Sequence, residues 1–353
     1  MKLVYFGNKL SKHGGSKPVL ETLEPLLREF CEVKTYSGIR NQYLRLLDML
    51  YHFFKEGLQS DIIMIDVYST KNFYFAYILG WLSSIFNKPY ILFLHGGNLP
   101  VRYNNSKRKV DQVFKRAKAI VAPSNYLKSF FESKGFAVVL IPNIIDIRKF
   151  PFQRRDFTQP RLFYIRGFGK IYNPQMTVRV VTELRDEYPG IQLAMIGSDI
   201  DGSSQEVQKL IDDLKLDAHI KILGKKSQAE WIELSKQYNI MLSNPIIDNT
   251  PVSIIEGMAL GLLIISTDVG GVSYLVSDNE DGMLVQSEDH KGMANAIREV
   301  INNPSLSVTL QQNARKKAEL FSWENIRLKW ENLLLHDNPN TKKNKNINKA
   351  GGN

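Results

Sequence analysis

The sequence predicts an α/β protein in which two doubly wound parallel sheets each carry helices on both faces. Short apolar strands alternate with helical patterns along the 353 residues, and the alternation restarts near the middle of the chain. A chain of this length can bury two cores. We therefore expect domains over 1–150 and 151–336, a linker near 148–159, and a basic, disordered tail over 337–353.

The elements of the first half follow from its apolar pattern. Buried parallel strands are continuous apolar runs, whereas helices repeat apolar residues every three or four positions. The predicted strands are Lys2 to Phe6, Glu32 to Tyr36, Asp61 to Asp66, Tyr90 to Leu94 and Lys118 to Ala122. The predicted helices are Val19 to Phe30, Gln42 to Lys55 and residues 72–86.

Two of these helices carry unusually apolar stretches. The run Phe73 to Phe86 is about 14 residues long, which is shorter than the ~20 residues that cross a bilayer. We expect it to be a buried core helix rather than a membrane-inserting one. The helix Gln42 to Lys55 is amphipathic, and its apolar positions at helical spacing are Leu44, Leu47, Leu50, Tyr51 and Phe54.

The second half repeats the pattern of strands with helices between them. Its predicted strands are Arg161 to Ile165, Gln192 to Ile196, Ile220 to Leu223, Ile240 to Ser243 and Leu262 to Ser266. Between the last two strands, Thr250 can cap a helix that has Pro251 at its first position. Gly261 is expected just past the end of that helix.

This helix follows a strand, so its free N–H groups face the edge of the sheet where anions bind. Asp248 lies just before the helix and Glu256 lies within it. The pattern alone permits two interpretations. One is a pocket for a phosphate and a polyol, and the other is an ordinary capped helix with one surface acid and one half-buried acid.

The same segment resembles the donor-site signature of the retaining glycosyltransferases of family 4, which have the GT-B fold. That signature has two acids eight residues apart, small residues, a strand and a glycine pair. Asp248, Glu256, the stretch 257–261 and the pair at 270–271 match it in order. The family usually has Glu at the first position, but a branch that reads "DNxPVSxIE" has Asp, as this chain does.

Other segments resemble further motifs of that family, in the expected order. Residues 141–146 (IPNIID) resemble the interdomain "IPNGVD", and residues 122–125 (APSN) resemble the "PSxx" that ends a late strand of the first domain. Residues 281–285 (DGMLV) and 321–324 (FSWE) resemble the closing motifs. The matches span roughly residues 1–330. The resemblance also implies that the last helix, residues 323–335, crosses back onto the first domain.

The resemblance implies a catalytic set of Arg166, Lys170, His95 and Asp248. Arg166 and Lys170 would bind the donor diphosphate and stabilise it as the glycosidic bond breaks. His95 would contact the transferred sugar, although a lone histidine is more often structural. Asp248 would hold hydroxyl groups of that sugar.

The resemblance also implies a donor-binding set. Glu256 would accept hydrogen bonds from the two ribose hydroxyls of the nucleotide, since a carboxylate has one oxygen for each. Gly14 and Gly15 would let the backbone approach the donor phosphates, unless they form a plain turn. The other implied donor contacts are Asn249, Thr250, Pro251, Val252, Gly224 and Lys225.

Positive charge is concentrated in the first half of the chain. The net charge is +10, and residues 1–150 hold 22 Lys and Arg against 11 Asp and Glu. Such a field favours an anionic membrane surface, a phosphate-bearing acceptor or nucleic acid, or it is only a solvated helix face. We expect no nucleic-acid partner, because no recognition motif is present. The predicted acceptor or membrane surface is Arg102, Lys107, Arg108, Lys109, Lys115, Arg116 and Lys118.

We predict no metal and no cofactor. Asp199 and Asp201 form a DxD pattern, but it follows a strand in a loop where a solvated turn is the better interpretation. Cys31 is the only cysteine, so neither an intrachain disulfide nor a cysteine-rich metal site is expected. Without a recognisable signal peptide, the chain is expected to be cytoplasmic, as a peripheral protein at the inner face of the cell membrane.

The resemblance implies a retaining, metal-independent hexosyltransferase that passes a sugar from a nucleoside diphosphate to an acceptor hydroxyl. The basic first half favours a lipid-linked acceptor, and a saccharide is also expected. Assembly of cell-surface polysaccharide or glycolipid is the expected role. Two alternatives remain open: a retaining synthase with a soluble sugar-phosphate acceptor, and a nucleotide-sugar-binding protein without activity.

Overall fold

The computed structural model describes residues 1–13 and 18–335, which form two six-stranded, fully parallel sheets. The first sheet contains β1 (Lys2–Phe6), β2 (Glu32–Tyr36), β3 (Ile62–Val67), β4 (Tyr90–Leu94), β5 (Ala119–Ala122) and β6 (Val138–Leu140). The second contains β7 (Arg161–Ile165), β8 (Gln192–Ile196), β9 (Ile220–Gly224), β10 (Ile240–Ser243), β11 (Leu263–Thr267) and β12 (Met283–Val285).

Helices connect the strands in both halves. The first half contains α1 (Val19–Leu27), α2 (Gln42–Lys55), α3 (Phe73–Ile85), α4 (Leu99–Phe114) and α5 (Asn125–Ser133). The second half contains α6 (Pro174–Leu184), α7 (Ser203–Asp213), α8 (Gln228–Ser235), α9 (Val252–Ala259), α10 (His290–Asn302) and α11 (Pro304–Glu319). The last helix is α12 (Trp323–Leu335). The predicted tail over 337–353 lies outside the described residues.

The strand order of each sheet changes direction at one point. The first sheet runs β2-β1-β3-β4-β5-β6, so its switch lies between β1 and β3. The second runs β12-β11-β10-β7-β8-β9, with its switch between β7 and β10. Ligands of open parallel sheets bind at these switch points, outside the carboxyl ends of the strands. The predicted fold class, with two doubly wound sheets, is confirmed.

Helix α12 packs against the first sheet, although it follows the second sheet in the chain. Trp330 is fully buried, and its ring meets the ring of Phe93 on β4 edge to face at 5.4 Å between centroids. The indole N–H of Trp323 donates to the carboxylate of Glu29 at 3.0 Å. Apolar burial of α12 therefore ties the end of the chain to the first sheet.

Helix α9 begins one residue later than predicted. Pro251, not Thr250, is the residue that precedes the helix. The Thr250 hydroxyl donates to the carbonyl of Pro123 at 3.4 Å, so it does not cap α9. The helix ends as predicted: Gly261 has a φ of +79°, and the N–H groups of residues 261 and 262 bond back to the last turn.

Four of the five residues of the apolar stripe predicted on α2 face outwards, and Leu50 packs against the core. The side chains that α2 buries are Arg45, Met49 and Phe53. Arg45 can be buried because its guanidinium donates to the side chain of Asn8 and to two backbone carbonyls. Periodicity locates an apolar stripe but does not say which side of the helix meets the sheet.

Helix α3 is also only half buried, against the expectation of a core helix. Phe73 and Leu79 are fully buried, whereas Tyr74, Trp81 and Ile85 are 40%, 42% and 50% exposed. Its buried side chains pack in the core of the first sheet, and its other side is exposed. Among the described helices, none is long and apolar enough to cross a membrane.

We predict that Trp330→Ala strongly destabilises the first half of the molecule. Removing a fully buried indole leaves a cavity, which costs about 3–5 kcal/mol of unfolding free energy. Leu328 lies on the same helix and is 64% exposed, so Leu328→Ala should cost less than about 0.5 kcal/mol. Urea unfolding of both variants checks this, and equal losses would contradict the packing of α12 on the first sheet.

Candidate active site

An ion pair marks the switch point of the second sheet. Arg166 follows β7, and Asp248 lies in the loop after the neighbouring strand β10. The Arg166 Nη2 donates to the carboxylate of Asp248. The guanidinium lies over the ring of Tyr172 at 4.5 Å from the centroid, and Nη1 reaches the hydroxyl of Ser253 at 3.4 Å. The site therefore holds its arginine from three sides.

Arg166 keeps an unused donor in this arrangement. Its Nε is buried and has no hydrogen-bond partner within the described residues. Burial lowers the pKa of Arg166, but the charge of Asp248 opposes this and the net direction is upwards. The site thus contains a permanent cation with one buried donor that no described residue satisfies.

Glu256 lies one turn into α9, close to this ion pair. Its carboxylate accepts a hydrogen bond from Gln228 at 3.3 Å, at the start of α8. Burial raises the pKa of Glu256 to about 7, although the Gln228 bond and the charge of Arg166 act in the opposite direction. A carboxyl group held in this way is suited to bind hydroxyl groups that replace its lost water.

The start of α9 offers free backbone donors. The hydrogen bonds of residues 1–13 and 18–335 supply no acceptor for the N–H groups of Val252 and Ser253. The predicted donor contacts Asn249 and Thr250 are instead bonded to the first half of the chain. The Ser124 hydroxyl donates to the side chain of Asn249, and the Asn143 side chain donates to the Thr250 carbonyl at 3.4 Å.

Glycines allow three loops to meet at Asp248. A Cβ on Gly271 would lie 1.7 Å from the Asn249 carbonyl oxygen, and one on Gly270 would lie 2.2 Å from that of Asp248. From the first half, a Cβ on Gly97 would lie 3.0 Å from the backbone of Asp248. These close approaches bring the loop that starts at His95 against the Asp248 loop.

His95 is held by a buried carboxylate at the first switch point. Its Nε2 lies 2.6 Å from Asp66, which is 3% exposed. Asp66 also accepts bonds from Tyr5 at 2.6 Å and from Tyr68 at 2.9 Å. Burial, and next the charge of Asp66, raise the pKa values of both tyrosines well above 10, so both remain donors.

This arrangement orients the imidazole of His95. An ionised Asp66 only accepts, so Nε2 carries a proton and Nδ1 is left for another partner. The sequence did not single out Asp66 as a functional residue. Its one sequence signal is an acid near the end of an otherwise apolar strand. In the structure Gly7 leaves room for this side chain, because a Cβ there would lie 2.2 Å from the carboxylate.

Among the remaining predicted site residues, Lys170 and Gly224 make no hydrogen bond to the ion pair within the described part of the chain. Lys170 is exposed, and its backbone N–H donates to Asp201 at 3.0 Å. Gly224 adopts a φ of +64°, and its carbonyl accepts from Gly197 at 3.1 Å. Lys225 is exposed. The predicted Gly14 and Gly15 lie outside the described residues.

The cations of the predicted basic surface differ in their surroundings, because some have partners in the protein and others are exposed. Arg102 is not a free surface charge, because its Nε donates to the Ser69 carbonyl at 2.8 Å and its guanidinium lies over a phenylalanine ring. Lys107 and Lys115 share Asp111. Lys109 lies over the ring of Tyr74. The other predicted members, all exposed, are Arg108, Arg116 and Lys118.

The acids of the DxD pattern act as turn acceptors. Asp199 accepts from the Gly202 N–H and the Ser204 hydroxyl, and Asp201 accepts from Ser203 and Lys170. These bonds lower the pKa values of both acids. Within the described ranges, no three His, Cys, Asp or Glu side chains cluster so that they could hold a metal ion.

Known proteins resemble this chain in sequence. Residues 146–317 match the family described as "Glycosyl transferases group 1". An uncharacterized glycosyltransferase of Methanocaldococcus jannaschii is 26% identical over 245 residues, covering 67% of this chain and 65% of that protein. A D-inositol 3-phosphate glycosyltransferase of Corynebacterium jeikeium is 24% identical over 180 residues, covering 48% and 43%. The chain thus matches less than two thirds of the length of these relatives.

Solved structures share the whole fold. Anabaena HepE in complex with UDP superposes with a TM-score of 0.78 at 16% identity, over 95% of this chain and 99% of that one. Sucrose-phosphate synthase from Thermosynechococcus elongatus superposes with a TM-score of 0.79 at 16% identity, over 94% and 98%. Both values support the arrangement of two doubly wound sheets.

We predict that Glu256 makes stability depend on pH. Its folded pKa of about 7 exceeds the value of 4.5 for a free carboxyl group, so the folded state holds the proton more tightly. This contribution is complete below pH 4.5 and is lost as the pH rises to 7. The Tm of the wild type should fall more steeply over that range than the Tm of Glu256→Gln.

Glu233→Gln is the matched control, because Glu233 is 72% exposed on the neighbouring helix α8. It should retain the wild-type pH dependence. If Glu256→Gln and the wild type show the same slope of Tm against pH from 4.5 to 7, the carboxyl group is not held in a desolvated site.

Proposed function

We propose, since the chain belongs to the glycosyl transferases group 1 of family 4 and has the GT-B fold, that it transfers a sugar from a nucleoside diphosphate to an acceptor hydroxyl. The observation that carries the proposal is the second switch point. There a charged, part-buried Arg166 with an unused Nε lies close to the part-buried Glu256, whose pKa is raised, and to the free N–H groups of α9.

These groups suit a diphosphate and a ribose. The Arg166 guanidinium and the N-terminal N–H groups of α9 are donors for phosphate oxygens. Lys170, whose backbone is held by Asp201, would add a second cation. Glu256 would take the two ribose hydroxyls, one on each oxygen, and Gly224 and Lys225 would approach the base through their backbone. HepE, the protein with a similar fold, was solved with UDP, so UDP is the first nucleotide to test.

The sugar would lie between the two switch points. Asp248 would accept bonds from its hydroxyls while remaining paired with Arg166. His95 would meet the sugar through Nδ1, because Nε2 is committed to Asp66. Asp66 acts in this proposal as a positioning residue, since it contacts the histidine rather than the donor.

Transfer with retention requires the acceptor hydroxyl to attack from the side of the leaving group. The bond between the anomeric carbon and the phosphate oxygen breaks, and the new bond forms to the acceptor oxygen. The acceptor proton moves to the departing phosphate oxygen, whose charge Arg166, Lys170 and α9 stabilise. We propose a hexosyl donor and chemistry that requires no metal.

The acceptor is proposed to be lipid-linked, in assembly of a cell-surface polysaccharide or glycolipid. The support is the excess of positive charge in residues 1–150 and the exposed cations of and after α4. We further propose that the protein works in the cytoplasm at the inner face of the membrane. A soluble phosphate-bearing acceptor is the second candidate, because one similar protein is a D-inositol 3-phosphate glycosyltransferase.

The donor site can be tested by thermal shift with UDP, GDP and ADP, each with and without EDTA. We predict that one nucleotide, UDP first, raises Tm by about 5 °C at 100 times its Kd, and that EDTA does not change this. Glu256→Ala should abolish the shift, and Glu233→Ala should retain it. No shift with any nucleotide would contradict the donor site.

Catalysis is tested separately by release of nucleoside diphosphate from its sugar conjugates. Arg166→Gln should lower the rate about 10²–10³-fold, because the leaving group loses its buried cation. Asp66→Asn should lower the rate less than Arg166→Gln does. It should also alter the pH profile of the rate, because the carboxylate no longer fixes which ring nitrogen of His95 carries the proton. Nucleotide binding without any turnover would favour the alternative of an inactive binding protein.

A further inference from the structure

A group of exposed apolar side chains lies on helices α2 and α3 of the first half. We call it the α2–α3 surface. Its members on α2 are Tyr43, Leu44, Leu47, Tyr51 and Phe54, and its members on and after α3 are Tyr74, Trp81, Ile85 and Phe86.

The exposure of this surface is exceptional within the molecule. In the described residues, 20 large apolar side chains are substantially exposed, and 11 of them lie between Ile39 and Val101. Single exposed apolar residues are ordinary, whereas a contiguous group marks a surface that binds something. Tyr43 is 81% exposed, Leu47 61% and Tyr51 58%, so their side chains project well clear of the sheet.

The two helices contribute to one surface. The ring of Phe54 on α2 meets the ring of Phe86 after α3 edge to face, with centroids 5.8 Å apart. Phe86 also contacts Phe53, which belongs to the core beneath. The surface is therefore anchored to a rigid core and does not depend on a loop.

Cations border this surface. Lys55 lies 5.3 Å from the ring centroid of Tyr51, and Lys109 lies 4.8 Å from that of Tyr74. Residues 39–118 hold 12 Lys and Arg against 5 Asp and Glu, a net charge of +7. These five acids are already engaged: Asp48 pairs with His52, and the other four bond to a tyrosine, a backbone amide, a histidine or lysines.

We propose that the α2–α3 surface docks on an anionic lipid bilayer. Leucine, isoleucine and phenylalanine side chains would enter the boundary between headgroups and acyl chains, and tyrosine and tryptophan would sit at the headgroup level. Lysines at the border would meet the anionic headgroups. Apolar insertion together with a basic border supplies the two signals that stable interfacial binding requires.

Charge and chain connectivity argue against other occupants. A second copy would bring together two segments, residues 39–118 of each chain, that each carry a net charge of +7, which is unfavourable. The C-terminal segment 336–353 contains Ile347 as its one large aliphatic residue, so it cannot cover nine exposed apolar side chains. It also starts from α12, which packs in a different core cluster from α2 and α3.

The orientation follows from the topology. In a parallel sheet each helix begins beside the carboxyl edge of the strands, where ligands bind. Tyr43 and Leu44 lie in the first turn of α2, and Tyr74 lies in the first turn of α3. Docking through these residues would place the loop at His95 near the bilayer. This orientation deepens the proposed function and depends on it, whereas bilayer binding itself does not.

Trp81 provides an intrinsic probe for the test. It is 42% exposed, whereas the other three tryptophans, Trp231, Trp323 and Trp330, are 6%, 9% and 0% exposed. Vesicles of phosphatidylcholine with 30% phosphatidylglycerol should shift the Trp81 emission to shorter wavelength, and brominated acyl chains should quench it. Trp81→Phe should remove both signals and should leave the protein bound in a flotation assay.

The contribution of apolar insertion is tested with matched double variants of the full chain, without donor. Leu44→Ser/Leu47→Ser should weaken co-flotation about tenfold or more, because two inserted side chains are lost. Leu320→Ser/Leu328→Ser removes two leucines that are 63% and 64% exposed elsewhere, and it should bind like the wild type. Pure phosphatidylcholine vesicles should bind more weakly than the anionic ones.

Three results would overturn the proposal. They are absence of co-flotation at low salt, equal weakening by both double variants, and a wild-type dimer that Leu44→Ser/Leu47→Ser converts to a monomer. The last result would assign the surface to a second copy. The nucleotide thermal shift should be the same in both double variants and the wild type, so failure of membrane docking is distinguishable from failure of the donor site.

Discussion

The pairing of Arg166 with Asp248 is the interaction around which the second half is arranged. The two residues come from the ends of β7 and β10, which are neighbours only because the strand order reverses between them. A part-buried guanidinium needs a carboxylate close by, and here it has one together with an aromatic face and a hydroxyl. The carboxylate in turn fixes the loop that leads into α9. The free N–H groups of α9 and the carboxyl group of Glu256 thus face the same cation.

The first half is arranged in a similar way around a buried carboxylate. Asp66 lies at the other switch point and collects donors from Tyr5, Tyr68 and His95. A buried carboxylate is costly unless hydrogen bonds replace its hydration, and three of them do so here. The absence of a side chain at Gly97 lets the His95 loop approach Asp248. The two switch points therefore face each other, which is the geometry that a two-substrate transferase requires.

The sequence located ten of the twelve strands and singled out both Arg166 and Asp248, but it did not predict that these two residues pair with each other. Apolar runs located these strands to within a residue, and Pro251 and Gly261 indicated the ends of the helix that contains Glu256. The role of Asp66 depended on three partners distant in sequence, and no local pattern reports such contacts. Thr250 has a good capping side chain, yet its hydroxyl bonds to Pro123 in the other half. The outward face of α2 was not predicted, because periodicity locates an apolar stripe but does not say which side of the helix meets the sheet.

The exposed apolar face of α2 bears on the proposed sugar transfer. A helix that needs only one apolar side to pack has no structural reason to place Tyr43, Leu47 and Tyr51 in water, where they lower solubility. A binding partner that covers them removes this cost. The first turns of α2 and α3 also border the edge of the sheet where the sugar would be transferred. A bilayer that covers the α2–α3 surface would therefore deliver a lipid-linked acceptor to the cleft from the side of the first half, while the soluble donor enters from the second.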